Sequence, residues 1–415
     1  MAVHESMRLY ITPERFFVEP TDSDESEVLI IDRVSQEISL ESNQGQIPPG
    51  AASKFICGIF GIIRLLAGPY LLLITRRVKV GEIGGQSIWR VADTEVIPYK
   101  KTLLHLTETQ MNDNKIYLSM LDQMLKADFF YFSTTYDLSH SLQRLSNTSP
   151  DFKQLALHER ADQRFIWNHH VLRELTQQPE LSKYCLPVMH GFVFIKSAIV
   201  KGKTFDYALI SRRSCLRAGT RYFIRGINSE GHAANFVETE QIVEYEGSMC
   251  SFVQTRGSIP MFWSQRPNLK YKPDPVLSTK ENQLLGMKTH LDEQIFNYGR
   301  LVLVDLIDQK GKELTLGTAL ADNVRNVHND NIRLESFDFH KECSKMRWER
   351  LNILMDRIEA DRKEMGYFMS LREGTVLSQQ MGVFRTNCID CLDRTNVVQS
   401  LIARRTLQDQ LIVRH

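Results

Sequence analysis

Neither positive nor negative charge dominates this sequence. It contains 51 lysine and arginine residues against 50 aspartate and glutamate residues, which leaves a formal net charge of +1. A chain that binds nucleic acid normally carries a marked excess of positive charge, and no nucleic-acid-binding motif is present. The sequence therefore predicts no nucleic acid partner, and any basic surface has to be local.

Long uninterrupted hydrophobic runs are also missing. The most apolar region, residues 55–80, contains Arg64 in its middle, a Gly-Pro break at 68–69 and two arginines at 76–77. A membrane-spanning helix needs about 20 consecutive apolar residues, so neither half is long enough. The pattern predicts two strands joined by a turn, and it gives the chain no transmembrane segment of its own.

A disulfide-like cysteine spacing is the third absence. Seven cysteines are scattered over 415 residues, and the polar start Met-Ala-Val-His-Glu-Ser does not resemble a signal peptide. These features predict a reducing compartment. Cys388 and Cys391 are close in sequence, but a structural zinc site needs a second ligand pair, so neither a metal nor another cofactor is predicted.

One chemically dense stretch, residues 385–396, reads Arg-Thr-Asn-Cys-Ile-Asp-Cys-Leu-Asp-Arg-Thr-Asn. Val383 and Phe384 before it predict the end of a buried strand, and the apolar residues at helical spacing in 397–402 predict a helix. A helix that begins at residues 394–396 directs unpaired N–H groups and the positive end of its dipole into the loop. The order strand, loop, helix therefore predicts a site for a phosphate dianion.

The loop also contains the groups needed for phosphoryl transfer. A helix N-terminus and a nearby guanidinium are expected to lower the pKa of Cys388 and make it a nucleophilic thiolate, while Arg394 grips two phosphate oxygens. Like charge is expected to raise the pKa of Asp390 or Asp393, one of which protonates the leaving alcohol and then activates water. The other residues expected to bind the phosphate are Asn387, Ile389, Cys391, Leu392, Thr395 and Asn396. The loop predicts a two-step, metal-free phosphatase.

The spacing Cys-x5-Arg decides nothing by itself, because it occurs three times. Cys215 and Arg221 precede Tyr-Phe-Ile, a segment of β type. Cys250 and Arg256 are separated by bulky and β-branched residues where backbone amides would have to converge. For both pairs we expect a buried strand thiol and a surface arginine.

A redox interpretation of residues 388–391 remains open. Cys-x-x-Cys is typical of redox dithiols, which also lie at helix N-termini with a depressed pKa. A redox enzyme would not require Arg394, so the phosphatase interpretation is favoured. Cys391 is nonetheless placed to trap an oxidised Cys388 as a disulfide, which would be a reversible inactive state.

The twelve residues 385–396 resemble the signature of the suppressor-of-actin (Sac) phosphoinositide phosphatases. Further segments resemble blocks of that family in the same order: 132–137, 159–164, 231–241, 262–267 and 337–340. The resemblance implies a phosphatidylinositol 4-phosphate phosphatase that meets phosphoinositide lipids at a membrane surface, with 3-phosphate and 3,5-bisphosphate lipids as lesser substrates. Without an appended 5-phosphatase domain, the chain is most similar to the membrane-anchored member at the cytosolic face of the endoplasmic reticulum and Golgi.

The end of the chain departs from the family pattern. It stops 21 residues after Arg394, whereas the family continues with more of the catalytic domain, a basic segment and two transmembrane helices. We therefore expect a C-terminally truncated product. A catalytically silent phosphoinositide-binding or adaptor protein is the alternative function, a soluble cytosolic chain is the alternative location, and no motif indicates a protein partner.

The order of elements predicts an α/β fold, α+β overall. Residues 1–180 are interpreted as an N-terminal module, β-rich and then helical, packed on a catalytic domain over 181–415. That domain is expected to hold a central mixed sheet flanked by helices, with the Cys388 loop between a strand and a helix. In the module, a helix predicted over residues 114–126 has an apolar face formed by Ile116, Met120 and Met124.

Basic residues suggest a groove that faces lipid. Its expected members are Arg212, Arg213, Arg217, Arg266, Lys270 and Lys272. Each basic side chain near an anionic membrane contributes about 1 kcal/mol, and a solvated basic face is the alternative. Asp338, His340 and Lys341 follow a predicted strand on the side expected for the site. Asp338 is expected either to cap a helix or, with its neighbours, to support the loop or a substrate hydroxyl.

Overall fold

The computed structural model describes residues 2–22, 26–269 and 272–412. The chain divides into two compact units, the first made of Met1–His140 and Thr148–Ile195, the second of Ser141–Asn147 and Lys196–His415. The boundary between the two units therefore lies between residues 195 and 196. The start of β10 belongs to the first unit, because Met189 and His190 pair with Tyr131 and Phe130 of that unit. The boundary expected after residue 180 stays a prediction.

The strands and helices follow one another along the chain. The strands are β1 Met7–Ile11, β2 Arg15–Pro20, β3 Glu27–Asp32, β4 Ile38–Ser42, β5 Ala52–Ile56, β6 Gly58–Leu65, β7 Gly68–Ile83, β8 Gln86–Pro98, β9 Phe130–Phe132, β10 Met189–Val200, β11 Lys203–Arg213, β12 Val237–Tyr245, β13 Ser248–Arg256, β14 Trp263–Ser264, β15 Val276–Leu277, β16 Arg300–Asp305, β17 Ile332–Ser336, β18 Phe368–Ser370, β19 Val376–Ser378 and β20 Gly382–Asn387. The helices are α1 Glu108–Leu125, α2 Leu142–Ser146, α3 Pro150–Gln154, α4 Leu157–Arg160, α5 His169–Thr176, α6 Gln283–Tyr298, α7 Leu314–Val327, α8 Phe339–Glu342, α9 Leu351–Met365 and α10 Asp393–Ile412.

Antiparallel strands dominate the first unit. Strands β1 to β5 form one sheet in the order β4-β3-β2-β1-β5, and β6 to β9 pair consecutively in another. The apolar residues 55–80 supply β6 and β7, which turn back on each other through Leu66 and Ala67. Gly68, the first residue of β7, has φ 115°, a backbone conformation that favours glycine;. The predicted strand pair is therefore confirmed. Among the described residues, no helix is long and apolar enough to cross a membrane.

The apolar face predicted for the helix α1 is not buried. Ile116 is 56% exposed and Met120 61%, whereas the polar Asn114 is buried. The Asn114 side chain accepts from the backbone N–H of Ala67 and donates to the hydroxyl of Tyr70, so these hydrogen bonds satisfy a buried amide;. The expected orientation of this helix was wrong, because Asn114 and Leu125 are its buried residues, whereas Ile116, Met120 and Met124 are exposed.

The second unit contains the predicted mixed sheet with helices on both faces. Its strands run in the order β17-β16-β20-β13-β12-β11, parallel from β17 to β13 and antiparallel from β13 to β11. Alternate residues of β16 point to opposite faces. Val302 and Val304 pack with residues of α9 and α10, and Leu301 and Leu303 pack with residues of α6 and α7.

This topology fixes where the candidate site lies. Strands β16 and β20 are parallel neighbours, and Asp305 at the end of β16 pairs with Asn387 at the end of β20. The end of β13 lies on the other side of β20, where Arg256 pairs with Thr386. The carboxyl ends of three strands therefore meet beside Cys388, as expected for a ligand site in a sheet of this kind.

Candidate active site

The Cys388 loop connects a buried strand to a long helix. All six residues of β20 are buried, and α10 begins at Asp393, so residues 388–392 form the connection. The predicted order of strand, loop and helix is confirmed. The N-terminal turn of α10 faces this loop with its unpaired N–H groups and the positive end of the helix dipole.

The sulfur of Cys388 is held by hydrogen-bond donors. Its Sγ accepts from the backbone N–H of Cys391 at 3.0 Å and from the hydroxyl of Thr395 at 3.3 Å. Hydrogen bonding with Cys391 is the largest effect on its pKa, and the Thr395 hydroxyl, the Arg394 charge and the Leu392 N–H act in the same direction against the effect of burial. Together they lower the pKa of Cys388 to about 6. At neutral pH the residue is therefore mainly a thiolate.

Cys391 has the opposite character. Its thiol lies 2.7 Å from the carbonyl oxygen of Gly257 and 3.2 Å from that of Cys388, and both oxygens accept from a protonated S–H. Hydrogen bonding with Cys388 and burial raise the pKa of Cys391 well above its ordinary value. The two thiols therefore divide their roles, with the negative charge on Cys388.

Arg394 is oriented by partners that the sequence did not indicate. Its Nη1 donates to the carbonyl of Leu306 at 3.0 Å and to Glu313 at 3.1 Å, and its Nη2 donates to the second Glu313 oxygen at 3.3 Å. Burial opposes the charge of Arg394, but the Glu313 carboxylate and the Cys388 sulfur raise its pKa. The guanidinium thus stays charged close to the sulfur while a carboxylate restrains it.

The carboxyls of the loop do not share one environment. Asp390 lies 2.5 Å from Arg225 and 2.8 Å from Arg221. Burial raises the pKa of Asp390, but these two arginines outweigh it and lower the pKa overall. The expected upward shift was therefore wrong for Asp390, which is an ion-paired carboxylate. Asp393 is exposed at the first position of α10.

A third carboxyl, Asp305, was missed from the sequence. It is buried at the end of β16 and accepts a hydrogen bond from the Asn387 side chain at 2.6 Å. Burial is the main cause that raises its pKa to about 7. An acid that ends the apolar run 301–304 was the available signal, because strand ends are where ligand sites form.

The arginines of the other two Cys-x5-Arg copies belong to the site. Arg256, at the end of β13, donates to the side chain of Asn396 on α10, and the charges of Cys388 and Cys391 act on its pKa. Arg221 binds Asp390, and the residues after it form a turn instead of a strand. Their expected role as unrelated surface arginines was wrong, because strand pairing and loop packing bring both to the Cys388 loop. Cys250 is buried in β13 as expected, whereas Cys215 is only half-buried in a bend after β11, so the expected buried strand thiol was wrong there.

A buried guanidinium lies behind the loop. Arg385 in β20 is fully buried, donates from Nε to His290 at 2.9 Å and from Nη2 to the carbonyl of Ser258 at 2.7 Å. Its Nη1 has no hydrogen-bond partner within the described parts of the chain. Burial lowers the pKa of Arg385 to about 10, which leaves it positively charged at neutral pH. This charge adds to the positive potential beneath the two thiols.

Residues 338–341 reach Arg394 only indirectly, through a contact of His340 with Asp308. Asp338 caps α8 by accepting from the Lys341 N–H at 3.1 Å, which confirms the capping interpretation, and Lys341 takes part through its backbone. His340 lies 2.7 Å from Asp308, and Asp308 lies 3.7 Å from Arg394. The supporting contact to the loop is therefore indirect, through a carboxylate that the sequence did not single out.

The structure contradicts part of the predicted basic groove. Arg212 is fully buried between Glu238 at 2.9 Å and Glu240 at 2.6 Å, so its expected lipid-facing role was wrong. The two glutamates lie on one face of β12, and Glu238 is the cross-strand neighbour of Arg212. Arg213 is half-buried and donates to the Asn235 side chain.

The other basic residues lie beside two cavities. Arg217 and Arg266 line a cavity of about 840 Å³ with Phe262 and Trp263. Lys272 lines a small cavity of about 80 Å³ that includes loop residues; its lining residues are Arg221, Tyr222, Gln265, Lys272, Pro273, Pro275, Lys312, Glu313, Ile389, Asp390 and Arg394. Lys270 lies outside the described residues. The small cavity is the entrance that concerns the chemistry, because loop residues line it.

Comparison with known proteins places this chain in a family. Residues 57–344 match the SacI homology domain. The chain belongs to the Sac family. It is 55% identical over 408 residues to phosphatidylinositol-3-phosphatase SAC1-A of Danio rerio, which covers 98% of this chain and 70% of that protein. Phosphatidylinositol-3-phosphatase SAC1 of Drosophila melanogaster is 46% identical, covering 98% and 68% of the two chains.

More distant Sac proteins align over the same length. Phosphoinositide phosphatase SAC7 of Arabidopsis thaliana is 37% identical over 99% of this chain and 69% of its own. The match to the SacI homology domain ends before the Cys388 loop, but these alignments of nearly the whole chain extend across it. The resemblance to the Sac family seen in residues 385–396 is therefore confirmed.

In the described residues, no cluster of three or more potential metal ligands is present.

Proposed function

We propose that this Sac-family phosphoinositide phosphatase removes the 4-phosphate of phosphatidylinositol 4-phosphate through a phosphocysteine intermediate. Lipids with a 3-phosphate, and the 3,5-bisphosphate, are the lesser substrates in this proposal. The observation that carries it is the thiolate of Cys388, which accepts from the backbone N–H of Cys391 and the hydroxyl of Thr395 and is further stabilised by the charge of Arg394. The cytosolic face of endoplasmic reticulum and Golgi membranes is the proposed location.

In the first step, the Cys388 thiolate attacks phosphorus and forms an S–P bond as the P–O bond to inositol breaks. The three non-bridging oxygens would accept from the backbone N–H groups of the loop and from Arg394, with support from Thr395 and Asn396 at the start of α10. Arg394 is already restrained by Glu313, so little ordering is needed when the phosphate enters;. The loop therefore has both the nucleophile and the preorganised positive groups that this step requires.

The leaving inositol oxygen needs a proton, and Asp393 is the proposed donor. Asp390 is held as a carboxylate by two arginines, which makes it a poor acid at neutral pH and a better anchor for the loop;. Asp393 lies at the end of the same loop and is exposed to an entering substrate. In the second step, the resulting Asp393 carboxylate accepts a proton from water, which attacks phosphorus and releases phosphate and the Cys388 thiolate.

Single-turnover phosphate release separates the two aspartates. Asp393→Asn is expected to lose most of its rate on an inositol lipid, whose alcohol leaves poorly, and much less on an aryl phosphate, whose phenol leaves well without a proton. Asp390→Asn is expected to slow both substrates alike, because it loosens the loop. An equal loss on both substrates for Asp393→Asn would exclude it as the acid.

The substrate assignment is tested with a panel of phosphoinositides. The unmodified chain is expected to release most phosphate from the 4-phosphate lipid, and Cys388→Ser is expected to release none while retaining lipid binding. The ranking of the lipids by the phosphate they release is informative, because the names of two relatives above specify the 3-phosphate. A chain that binds these lipids without releasing phosphate would be a lipid-binding member of the family, and a chain with thiol exchange that survives Arg394→Ala would be a redox enzyme.

A further inference from the structure

We propose that the loops carrying Phe223 and Leu269 form a membrane-contacting rim beside the active site, which inserts apolar side chains into an anionic lipid bilayer. Phe223 is 72% exposed, and Leu269 is fully exposed. Large apolar side chains at such exposure are normal singly, but these two belong to loops that meet at the entrance of the site. This inference rests on the proposed lipid substrate.

Hydrogen bonds hold the two loops together at that entrance. Arg225, two residues after Phe223, donates from Nε and Nη2 to the Gln265 side chain at 3.1 and 2.8 Å. Gln265 in turn donates to the carbonyl of Pro273 at 2.9 Å, which closes the loop that contains Leu269. Arg225 also donates to the carbonyl of Ile389 at 3.0 Å. One buried arginine therefore joins both loops to the Cys388 loop.

Hydrogen bonds and ring contacts within the loop that contains Phe223 hold its conformation. Arg217 donates from Nη2 to the carbonyl of Arg225 at 2.8 Å, and Gly219 donates from its N–H to Asn235 at 3.2 Å. Tyr222 has φ 71°, a conformation that non-glycine residues adopt rarely and that needs support from its surroundings;. The guanidiniums of Arg221 and Arg225 lie over its ring at 4.8 and 5.4 Å. The exposure of Phe223 is thus a feature of a fixed turn.

The charge of this region complements an anionic surface. The two cavities beside the loops are lined by seven cationic and four anionic side chains, in a chain whose formal net charge is only +1. The cations are Arg217, Arg221, Arg266, Lys272, Lys280, Lys312 and Arg394, and the anions are Asp274, Glu281, Glu313 and Asp390. Basic groups next to exposed apolar side chains are the combination that binds the interface of an anionic bilayer.

The test compares two double variants of the full chain. Phe223→Ser with Leu269→Ser removes the apolar rim. Phe296→Ser with Leu377→Ser is the matched control, since both residues are exposed but lie at the other end of the sheet. Phe296 precedes the amino end of β16, and Leu377 lies in β19 on the hairpin that pairs with residues 249–251 of β13.

Vesicle flotation is measured in a Cys388→Ser background, so that substrate is not consumed. The vesicles contain phosphatidylcholine, phosphatidylserine and phosphatidylinositol 4-phosphate. The rim variant is expected to bind roughly ten-fold to a hundred-fold more weakly, since two large apolar side chains lose their burial in the interface, whereas the control binds like the parent. Equal binding by all chains, or an equal loss in both variants, would overturn the proposal and leave a protein partner as the occupant of this surface.

Turnover separates membrane contact from chemistry. With Cys388 present, the rim variant is expected to lose phosphate release from vesicles by a similar factor, but to retain it on a soluble short-chain phosphatidylinositol 4-phosphate. A matching loss on the soluble lipid would show that these loops support catalysis and would overturn the proposal. If the unmodified chain releases no phosphate from either lipid, the proposed function fails, and flotation still decides whether the rim binds a bilayer.

Discussion

Replacing Thr395 by valine tests how the Cys388 thiolate is stabilised. Thr395 is fully buried, and its hydroxyl lies 3.3 Å from Cys388 Sγ. Valine keeps the shape and removes the donor. A hydrogen bond to a charged group contributes about 1.5–3 kcal/mol, and one pKa unit corresponds to about 1.4 kcal/mol. Because this hydrogen bond is long, we expect a contribution at the lower end of that energy range, which corresponds to a rise of about one unit in the pKa of Cys388.

The direction of the shift follows from the charged form that is stabilised. The donor favours the thiolate, so its removal raises the pKa of Cys388 from about 6 to about 7. At pH 7 the thiolate fraction then falls from about nine-tenths to about half. The acidic limb of the pH profile of kcat/KM is expected to move to higher pH by the same amount.

Alkylation of Cys388 with iodoacetamide, followed on its peptide by mass spectrometry as a function of pH, measures the shift directly. Thr406→Val is the control, because Thr406 is also a buried threonine of α10 but donates to the carbonyl of Ile402. An unchanged alkylation midpoint in Thr395→Val, or an equal change in Thr406→Val, would refute the assignment of this hydroxyl as a stabilising donor.

Three further changes test other parts of the second unit. Arg212→Met leaves Glu238 and Glu240 buried without their cation, and we expect it to lower the free energy of unfolding, measured by urea denaturation, by about 3–5 kcal/mol. The control Arg213→Met is expected to lower it by about 1 kcal/mol. Similar losses in the two variants would contradict the buried ion-pair argument. Asp390→Asn is expected to reduce kcat/KM on phosphoinositides roughly ten-fold, the loss of one charge-assisted hydrogen bond, and undiminished activity would show that Arg225 needs no carboxylate. Asp305 has a raised pKa, so its contribution to stability is present below about pH 4 and is lost as pH rises through about 7;. The unmodified chain should therefore lose stability relative to Asp305→Asn as the pH rises from about 4 to about 7. The difference in free energy of unfolding, Asp305→Asn minus unmodified, increases over this range and is constant above it. A difference that does not change with pH would show that Asp305 does not titrate there.

Local patterns were sufficient to predict the strand, the loop and the helix around Cys388. Val383 and Phe384 are consecutive buried residues, and the helical spacing in 397–402 describes the side of α10 that packs on the sheet. Such features involve only neighbours in sequence. The two-strand interpretation of residues 55–80 succeeded for the same reason, since the Gly-Pro break and the charged residues lie within the segment itself.

The incorrect expectations involve contacts across the sheet. Arg212 was expected to face lipid because its neighbours in sequence are basic, but Glu238 is its partner in the adjacent strand and Glu240 lies two residues further along the same face. Asp305 and Arg256 reach the site only because β16, β20 and β13 run parallel. Register between distant strands is not visible in one sequence, and it decides which polar residues are buried together.

The restraints on the arginines at the site explain how a cationic entrance can remain ordered without losing its charge. Asp390 binds Arg221 and Arg225, and Glu313 binds Arg394. The small cavity nevertheless has four cationic side chains against two anionic ones, because Lys272 and Lys312 also line it. Each carboxylate fixes a guanidinium in place, while the surplus of positive charge still favours a dianion. A loop of this kind gains orientation from its aspartate and glutamate partners and retains the electrostatic attraction that a phosphate substrate requires.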